Sequence, residues 1–421
     1  MEHRLALKGQ IVYAPQAGEI VSVADGYLLT ENGRIVEVCD SLPEEWRTAR
    51  LSDYRHCLLL PGMTDLHIHA PQYAFRGLGM DMELLPWLES YAFPEEIRYA
   101  GEDYAAYAYQ TFADDLRNSF TCRANIFATV HNGASSILAA LIAESGLFAH
   151  VGKVSMDRNC PPELNEGAAA PAAMAAWVLD LRERYNNVKP IITPRFIPSC
   201  SGQLLASLGQ LAKQYDLPVQ SHLAENLNEI EWVRKLEPQS RHYADAYDRY
   251  GLLEGQPTVM AHCVHLSKEE MRLLRKRRVF IAHCPQSNAN LLSGAAPIKN
   301  MLVAGLKLGL ATDMAGGAHI SMLRVIQDAV AVSKMRAAFY NRPEDTLSIA
   351  EAFYLATKGG GAFFGQVGSF EPGYAADILV IDDSPLSPRG LTLRQRLERV
   401  IYQADSRHLL AKFVAGRQIA L

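Results

Sequence analysis

Eight apolar segments of strand length recur between residues 58 and 317, and helical segments separate them. Near-continuous apolar strands that alternate with helices are typical of a parallel sheet whose outer face is covered. Eight such units have the size of a TIM barrel, which takes about 250 residues. The sequence therefore predicts an α/β fold with a (β/α)8 barrel. The eight segments are 58–69, 119–131, 147–157, 189–196, 217–225, 257–266, 278–285 and 306–317.

Polar side chains lie near the carboxyl ends of these segments. In barrel enzymes the active site is built at that end of the strands. His67 and His69 are two residues apart, so in a strand both side chains point to one face. We therefore expect the strand-end residues to meet in the mouth of the barrel. They are His67, His69, His131, Asp157, Arg195, His222, Glu225, His262, His283 and Asp313.

The two ends of the chain are rich in predicted short strands, whereas in the region between them strands alternate with helices. "ENGR" (31–34) predicts a hairpin, because Asn-Gly suits a type I′ turn. A further turn is expected at Gly416. We predict that residues 1–60 and 366–421 form a small β-sandwich together, and that residues 61–365 form the barrel domain.

Composition argues against several classes of protein. The net charge is −5 and no long Lys/Arg run occurs, so nothing favours binding to nucleic acid. No stretch approaches the roughly 20 apolar residues of a membrane span. The seven cysteines include no C-x-x-C pair, which favours reduced thiols. Together with the absence of a leader-like N-terminal segment, these features predict a soluble, cytoplasmic protein.

Four of the strand-end residues have the types that zinc prefers. Histidine nitrogen and carboxylate oxygen are zinc ligands, and a catalytic site keeps one position for water. His67, His69, His222 and Asp313 fall on predicted strands one, five and eight. Each one alone could be an ordinary polar residue at a strand end. Their joint occurrence indicates a metal site.

Eight sequence blocks between residues 61 and 317 carry a resemblance to known proteins. The blocks are "PGMTDLHIHAPQYAF" (61–75), "LLPWLESYAFPEE" (84–96), "GKVSMDRN" (152–159), "ITPRF" (192–196), "SHLAENLNEIEWV" (221–233), "VMAHCVHLS" (259–267), "HCPQSN" (283–288) and "ATDMAGG" (311–317). They resemble the amidohydrolase superfamily and, within it, the guanine deaminase family. The H-x-H, "SH..E" and "TD" elements are shared by the superfamily, whereas "HAPQYAF", "WLESYAFPEE" and "TPRF" are more specific.

The resemblance implies a catalytic centre with one zinc ion per chain. Its ligands would be His67, His69, His222 and Asp313. Glu225 matches the residue that shuttles protons. His262 matches a histidine that assists the reacting water, and Asp313 also accepts a proton. The implied reaction is the hydrolysis of guanine to xanthine and ammonia.

The resemblance also implies a set of residues that bind guanine. Arg195 and Phe196 match the pair that holds the base, and the Gln72 amide would face the purine edge. The full set is His69, Ala70, Pro71, Gln72, Arg195, Phe196, His222, Glu225 and Asp313. A homodimer is expected from the resemblance alone.

Two other functions remain open at this point. A deaminase or hydrolase of another purine, a pterin or a triazine ring would keep the four ligands and Glu225 but change the residues that hold the base. A metal-free barrel that serves as a scaffold would have lost at least one ligand, and none is missing.

Binuclear relatives place a lysine on strand four, where this chain has Arg195, so one metal ion is expected. The H-x-E and P-C-x-x-C signature of the other deaminase class is also missing from the sequence.

Two stretches near the site carry more ordinary expectations. Glu95 and Glu96, in "PEE" (94–96), predict a solvated helix start. Trp87 and Tyr91 are expected to be core aromatics rather than contacts of a ligand.

Overall fold

The structure, a computed structural model, describes residues 4–421. Residues 1–3, the first of the predicted β-sandwich, lie outside the described residues. In chain order the strands are β1 Arg4–Tyr13, β2 Val21–Glu31, β3 Arg34–Cys39, β4 Arg50–Pro61, β5 Met63–His69, β6 Thr121–Phe127, β7 Phe148–Gly152, β8 Val154–Ser155, β9 Val188–Pro190, β10 Thr193–Pro194, β11 Val219–Leu223, β12 Thr258–His262, β13 Phe280–His283, β14 Lys307–Leu310, β15 Ile378–Ile381, β16 Leu409–Val414 and β17 Arg417–Ile419.

Strands from both ends of the chain form one mixed sheet. Its order is β17-β16-β15-β4-β1-β2-β3, with β1 and β4 parallel and the other neighbours antiparallel. The β-sandwich expected from the sequence is here one continuous sheet, because β4 pairs with β1 on one side and with β15 on the other. The domain limits near residues 60 and 366 stay a prediction.

The predicted hairpin between β2 and β3 is confirmed. Glu31 pairs with Arg34 across the turn. Asn32 and Gly33 both have positive φ angles, 51° and 78°. A type I′ turn requires that conformation at both central residues, which explains why Asn-Gly occurs at this place.

All eight predicted apolar segments contain parallel strands. Two four-stranded sheets have the orders β5-β6-β7-β9 and β11-β12-β13-β14, and β8 pairs with β10. Backbone hydrogen bonds join the two larger sheets at both ends. The Ile192 amide donates to Pro218 at 2.9 Å, and the Asp313 amide donates to the carbonyl oxygen of His67 at 2.9 Å.

The helices mostly follow the strands and cover them. In α3, apolar residues three or four apart are buried, as the amphipathic pattern requires. The α-helices are α1 Leu84–Trp87, α2 Phe93–Arg98, α3 Glu102–Arg117, α4 Asn132–Ser145, α5 Ala170–Leu181, α6 Gly202–Tyr215, α7 Leu227–Leu236, α8 Tyr243–Arg249, α9 Lys268–Arg277, α10 Pro285–Asn290, α11 Ile298–Val303, α12 Met322–Phe339, α13 Ile349–Tyr354 and α14 Leu393–Gln403.

Buried charged side chains join the seven-stranded mixed sheet, called the end sheet from here on, to strand β6. The Arg123 guanidinium donates to both carboxylate oxygens of Asp377, at 2.6 and 3.3 Å. Lys412 of β16 donates from Nζ to the carbonyl oxygens of Arg117 and Thr121, at 2.7 and 2.8 Å. These contacts fix the end sheet against the parallel strands.

Within residues 4–421, none of the helices combines the length and the apolar composition that crossing a membrane requires.

Candidate metal centre and active site

Three histidine side chains converge at the carboxyl ends of β5 and β11. His69 Nε2 lies 3.1 Å from His67 Nε2 and 3.1 Å from His222 Nε2. The Asp313 carboxylate follows β14, and its Oδ1 lies 3.0 Å from His67 Nε2 and 3.5 Å from His69 Nε2. The structure thus brings together all four residues that the sequence predicts as metal ligands.

The donor atoms of this group fit a metal ion of zinc's size. A tetrahedral site with bonds of about 2.0–2.1 Å has donor atoms roughly 3.3–3.4 Å apart, close to the four spacings given above, which run from 3.0 to 3.5 Å. His222 Nδ1 donates to the carbonyl oxygen of Arg195 at 2.6 Å. The lone pair of His222 therefore lies on Nε2, which faces the other ligands.

Burial also favours the protonation states that bind a metal. It lowers the pKa of His67 and lowers the pKa values of His69 and His222 well below their ordinary range. Neutral imidazole is the form that donates a lone pair. Burial alone would raise the pKa of Asp313, but the nearby His67 and its hydrogen bond hold that pKa well below its usual range.

Glu225 lies beside the four candidate ligands. Its carboxylate is 3.3 Å from His262 Nε2 and accepts a hydrogen bond of 3.0 Å from the Ser293 hydroxyl. Burial raises the pKa of Glu225 to about 7. A carboxyl group with a pKa near neutrality can both accept and release a proton, as general acid–base catalysis requires.

His262 is held by contacts from two sides. Its Nδ1 lies 2.8 Å from Asn288 Oδ1, and because an amide oxygen only accepts, Nδ1 carries the proton. Its Nε2 faces Glu225 and lies 3.8 Å from Asp313 Oδ2. His262 and Asp313 have positive φ angles of 71° and 47°, a conformation that non-glycine residues adopt with strain and that concentrates at functional sites.

A pocket opens directly onto these side chains. Arg195 and Phe196 lie after β10 and form part of its wall, and Gln72 approaches from a short 3₁₀ helix, Ala70–Phe75. Ala70 and Pro71 are buried in that turn but are not among the described residues that line the pocket. The lining residues are His69, Gln72, Leu84, Trp87, Leu88, Arg195, Phe196, His222, Glu225, Glu229, His262, Leu291 and Asp313.

The apolar side of the pocket was not identified from the sequence. Leu84, Trp87 and Leu88 come from the segment after β5, and Leu291 comes from the end of α10. The expectation that Trp87 is only a core aromatic was incomplete, because it is buried and also lines the pocket. Apolar residues carry no pattern that separates a pocket wall from the core, although the quoted block 84–96 covers three of the four.

The expectation of a solvated helix start at "PEE" was wrong. Glu96 is 1% exposed and Glu95 is 8% exposed. Glu96 Oε2 accepts from Arg195 Nη1 at 2.5 Å, and Glu96 Oε1 accepts from Gln72 Nε2 at 3.2 Å. Arg195 lies 99 residues further along the chain, so no local pattern could predict this burial.

Comparisons with known proteins agree with this geometry. The model of the amidohydrolase family matches residues 58–419. The guanine deaminase of Rattus norvegicus is 37% identical, over 99% of this chain and 97% of its own length. The probable guanine deaminase of Schizosaccharomyces pombe is 35% identical, over 98% of this chain and 82% of its own.

A solved structure is similar over the whole chain. It is the guanine deaminase of C. acetobutylicum with guanine bound in the active site, with a TM-score of 0.97 and 43% identity. The match covers 99% of this chain and all of that one. The chain belongs to the amidohydrolase family and, within it, to the guanine deaminases.

Proposed function

We propose that this chain hydrolyses guanine to xanthine and ammonia with one zinc ion. The observation that carries the proposal is the convergence of His67, His69, His222 and Asp313 next to a pocket whose wall includes Arg195 and Phe196. The likeness to a guanine deaminase with bound guanine supports the choice of substrate.

The four convergent residues would hold the zinc ion. His67, His69 and His222 would each donate from Nε2, and Asp313 from a carboxylate oxygen. Bound there, zinc would lower the pKa of a water molecule to about 7 and so supply a nucleophile at neutral pH. No lysine lies at the position that a bridging ligand of a second ion would take, which supports a single ion.

The pocket offers contacts suited to a flat, neutral, polar ring. Phe196 presents an aromatic side chain to the pocket, and an aromatic face can stack on a purine. Arg195 keeps N–H groups beyond the one that binds Glu96, and they can donate to the carbonyl oxygen of guanine. The Gln72 amide can contact the purine edge, while Leu84, Trp87 and Leu88 exclude water from the ring.

Glu225 would move the protons of the reaction. It would accept a proton from the attacking water and deliver it to a ring nitrogen next to C2. A second proton from the same water would then pass to the departing amine, so that guanine and water give xanthine and ammonia. His262, held by Asn288, would orient the water beside Glu225 and Asp313.

We extend the proposal to the architecture that holds the site. The two four-stranded parallel sheets would be parts of one (β/α)8 barrel, and the hydrogen bonds between them at both ends support closure. The barrel domain would span residues 61–365, with the end sheet as a second domain. The resemblance alone supports a homodimer, whereas the composition and the scattered cysteines support a cytoplasmic location.

The proposal is tested by a variant that separates zinc binding from chemistry. In Glu225→Gln, the four ligands are intact but no carboxyl group is left to move protons. We expect one zinc per chain in both proteins and a loss of guanine turnover of at least about 100-fold in the variant. Glu231→Gln, on the exposed side of α7, is the control and should match the parent. Full activity in Glu225→Gln, or a parent that binds no zinc, would contradict the proposal.

A further inference from the structure

Glu96 is a buried acid that the proposed reaction does not use directly. It lies on α2, outside the candidate ligands, and its side chain is 1% exposed. A carboxylate removed from water is unfavourable unless charged or hydrogen-bonding partners compensate for it. Two side chains of the pocket, Arg195 and Gln72, provide that compensation.

The Glu96 carboxylate bridges these two side chains with separate oxygens. Oε2 accepts from Arg195 Nη1 at 2.5 Å and Oε1 accepts from Gln72 Nε2 at 3.2 Å. Phe93, one turn earlier on α2, lies with its ring centroid 5.0 Å from the Arg195 guanidinium carbon. Helix α2 therefore contacts the Arg195 guanidinium twice, through the hydrogen bond to Glu96 and through the ring of Phe93.

The same bridge determines which way the Gln72 amide points. Nε2 is directed to Glu96 because a carboxylate only accepts hydrogen bonds. Oε1 is then directed to the Ala315 amide, at 3.4 Å. The remaining amide hydrogen and a carbonyl lone pair are left to contact a ligand. Glu96 thus fixes the orientation of both the Gln72 amide and the Arg195 guanidinium.

The bridge also changes the net charge that a ligand meets. The Arg195 guanidinium is a cation, and alone it would attract an anion into a buried pocket where charges are poorly screened. The Glu96 carboxylate makes the pair neutral while the other N–H groups of Arg195 stay free to donate. Such a pair favours a neutral carbonyl group over an anionic ring.

We infer that Glu96 is a positioning residue that sets the pocket's preference for a neutral purine over an anionic one. The inference rests on the proposed function and deepens it. Guanine is neutral near pH 8, whereas xanthine loses a ring proton close to neutrality. A pocket that disfavours the anion would release its product more readily than one with an uncompensated arginine.

Three variants separate this role from a general effect on folding. Glu96→Gln removes the charge at constant size. Glu96→Asp keeps the charge but shortens the reach to Gln72. Glu95→Gln is the matched control, because Glu95 is the preceding residue of α2 and contacts Tyr104 and Arg98 rather than the pocket.

The measurement is calorimetric binding of two purines to the zinc-loaded protein near pH 8, where xanthine is largely anionic and hypoxanthine is mostly neutral. We expect the ratio of the xanthine Kd to the hypoxanthine Kd to fall about tenfold in Glu96→Gln. It should stay at the parent value in Glu95→Gln and Glu96→Asp, although Glu96→Asp should bind both purines more weakly.

An unchanged ratio in Glu96→Gln would overturn the inference, and so would an equal fall in Glu96→Asp. If Glu96→Gln does not fold, the ratio of the xanthine Kd to the hypoxanthine Kd is measured in Glu96→Asp. An unchanged ratio supports a role of the charge, which this variant keeps, and a lower ratio contradicts it. Ammonia release from guanine by the parent protein tests the proposed function separately. A parent protein that binds both purines but releases no ammonia from guanine would contradict the proposed function. The Kd ratios would still test the role of Glu96.

Discussion

Nδ1 of His222 donates a hydrogen bond of 2.6 Å to the carbonyl oxygen of Arg195. A candidate metal ligand is thereby oriented by the backbone of a residue whose side chain lines the pocket. Such partners behind a ligand fix the ring and its tautomer. Because the contact uses the backbone, the side chain of Arg195 can be changed without removing it.

The first prediction concerns Arg195→Met. We expect zinc content to stay at the parent value, since the carbonyl oxygen that holds His222 is kept. The kcat/KM for guanine should fall about 100-fold or more, because a donor to the substrate oxygen is lost. Arg195→Lys keeps a charge but not the planar fork, and should recover only part of the activity. Loss of zinc in Arg195→Met, with a normal fold by circular dichroism, would contradict this account.

The second prediction concerns Asn288, which accepts from His262 Nδ1 at 2.8 Å. Asn288→Ala should leave the imidazole free to rotate and change tautomer. We expect kcat to fall about 10- to 100-fold with one zinc still bound, a loss of the size found for hydrogen-bond partners behind metal-ligating histidines. Steady-state kinetics and metal analysis check this. A change in KM alone would argue that His262 acts in binding rather than in catalysis.

The third prediction concerns the buried ion pair between β6 and the end sheet. Arg123→Met would leave the carboxylate of Asp377, which is fully buried, without its charged partner. We expect the free energy of unfolding to fall by about 3–5 kcal/mol. Arg184→Met, which breaks an exposed pair with Asp180, should change it by less than about 1 kcal/mol. Urea unfolding of the two variants measures both, and equal effects would show that burial does not matter here.

The fourth prediction concerns the dependence of stability on pH. Burial lowers the pKa of Lys412 to about 8 from its ordinary value of 10.5. Between these values the unfolded chain binds more protons than the folded one, so this residue makes the free energy of unfolding rise with pH. The contribution of Lys412 should raise the free energy of unfolding by about 3 kcal/mol in total between pH 8 and 10.5, and it should not change below pH 8.

The control for this prediction is Lys412→Met, which removes the titrating group. The difference in urea midpoint between the parent and the variant should shift in favour of the parent as the pH rises from about 8 to 10.5. A difference that stays constant over that range would mean that Lys412 keeps an ordinary pKa in the folded protein.

The sequence predicted the parallel strands because they depend on local periodicity, and it predicted the convergence of the candidate ligands because the carboxyl ends of such strands are expected to meet at one end of a barrel. A strand fixes which side chains share a face, and the chemistry of His67, His69, His222 and Asp313 is visible in their residue types. The burial of Glu96 was missed because it depends on Arg195, which is distant in the chain. The pairing of β4 with β15, which joins the strands of both chain ends in one sheet, was not predicted, because it depends on how the two chain ends meet, which alternating hydrophobicity does not encode.

Hydrolysis of guanine by this protein is tested by incubating the zinc-loaded protein with guanine and measuring xanthine and ammonia together. We expect equimolar formation of both products and no turnover after zinc is removed by a chelator, with recovery when zinc is returned. Binding of zinc without release of ammonia from guanine would contradict the proposed function.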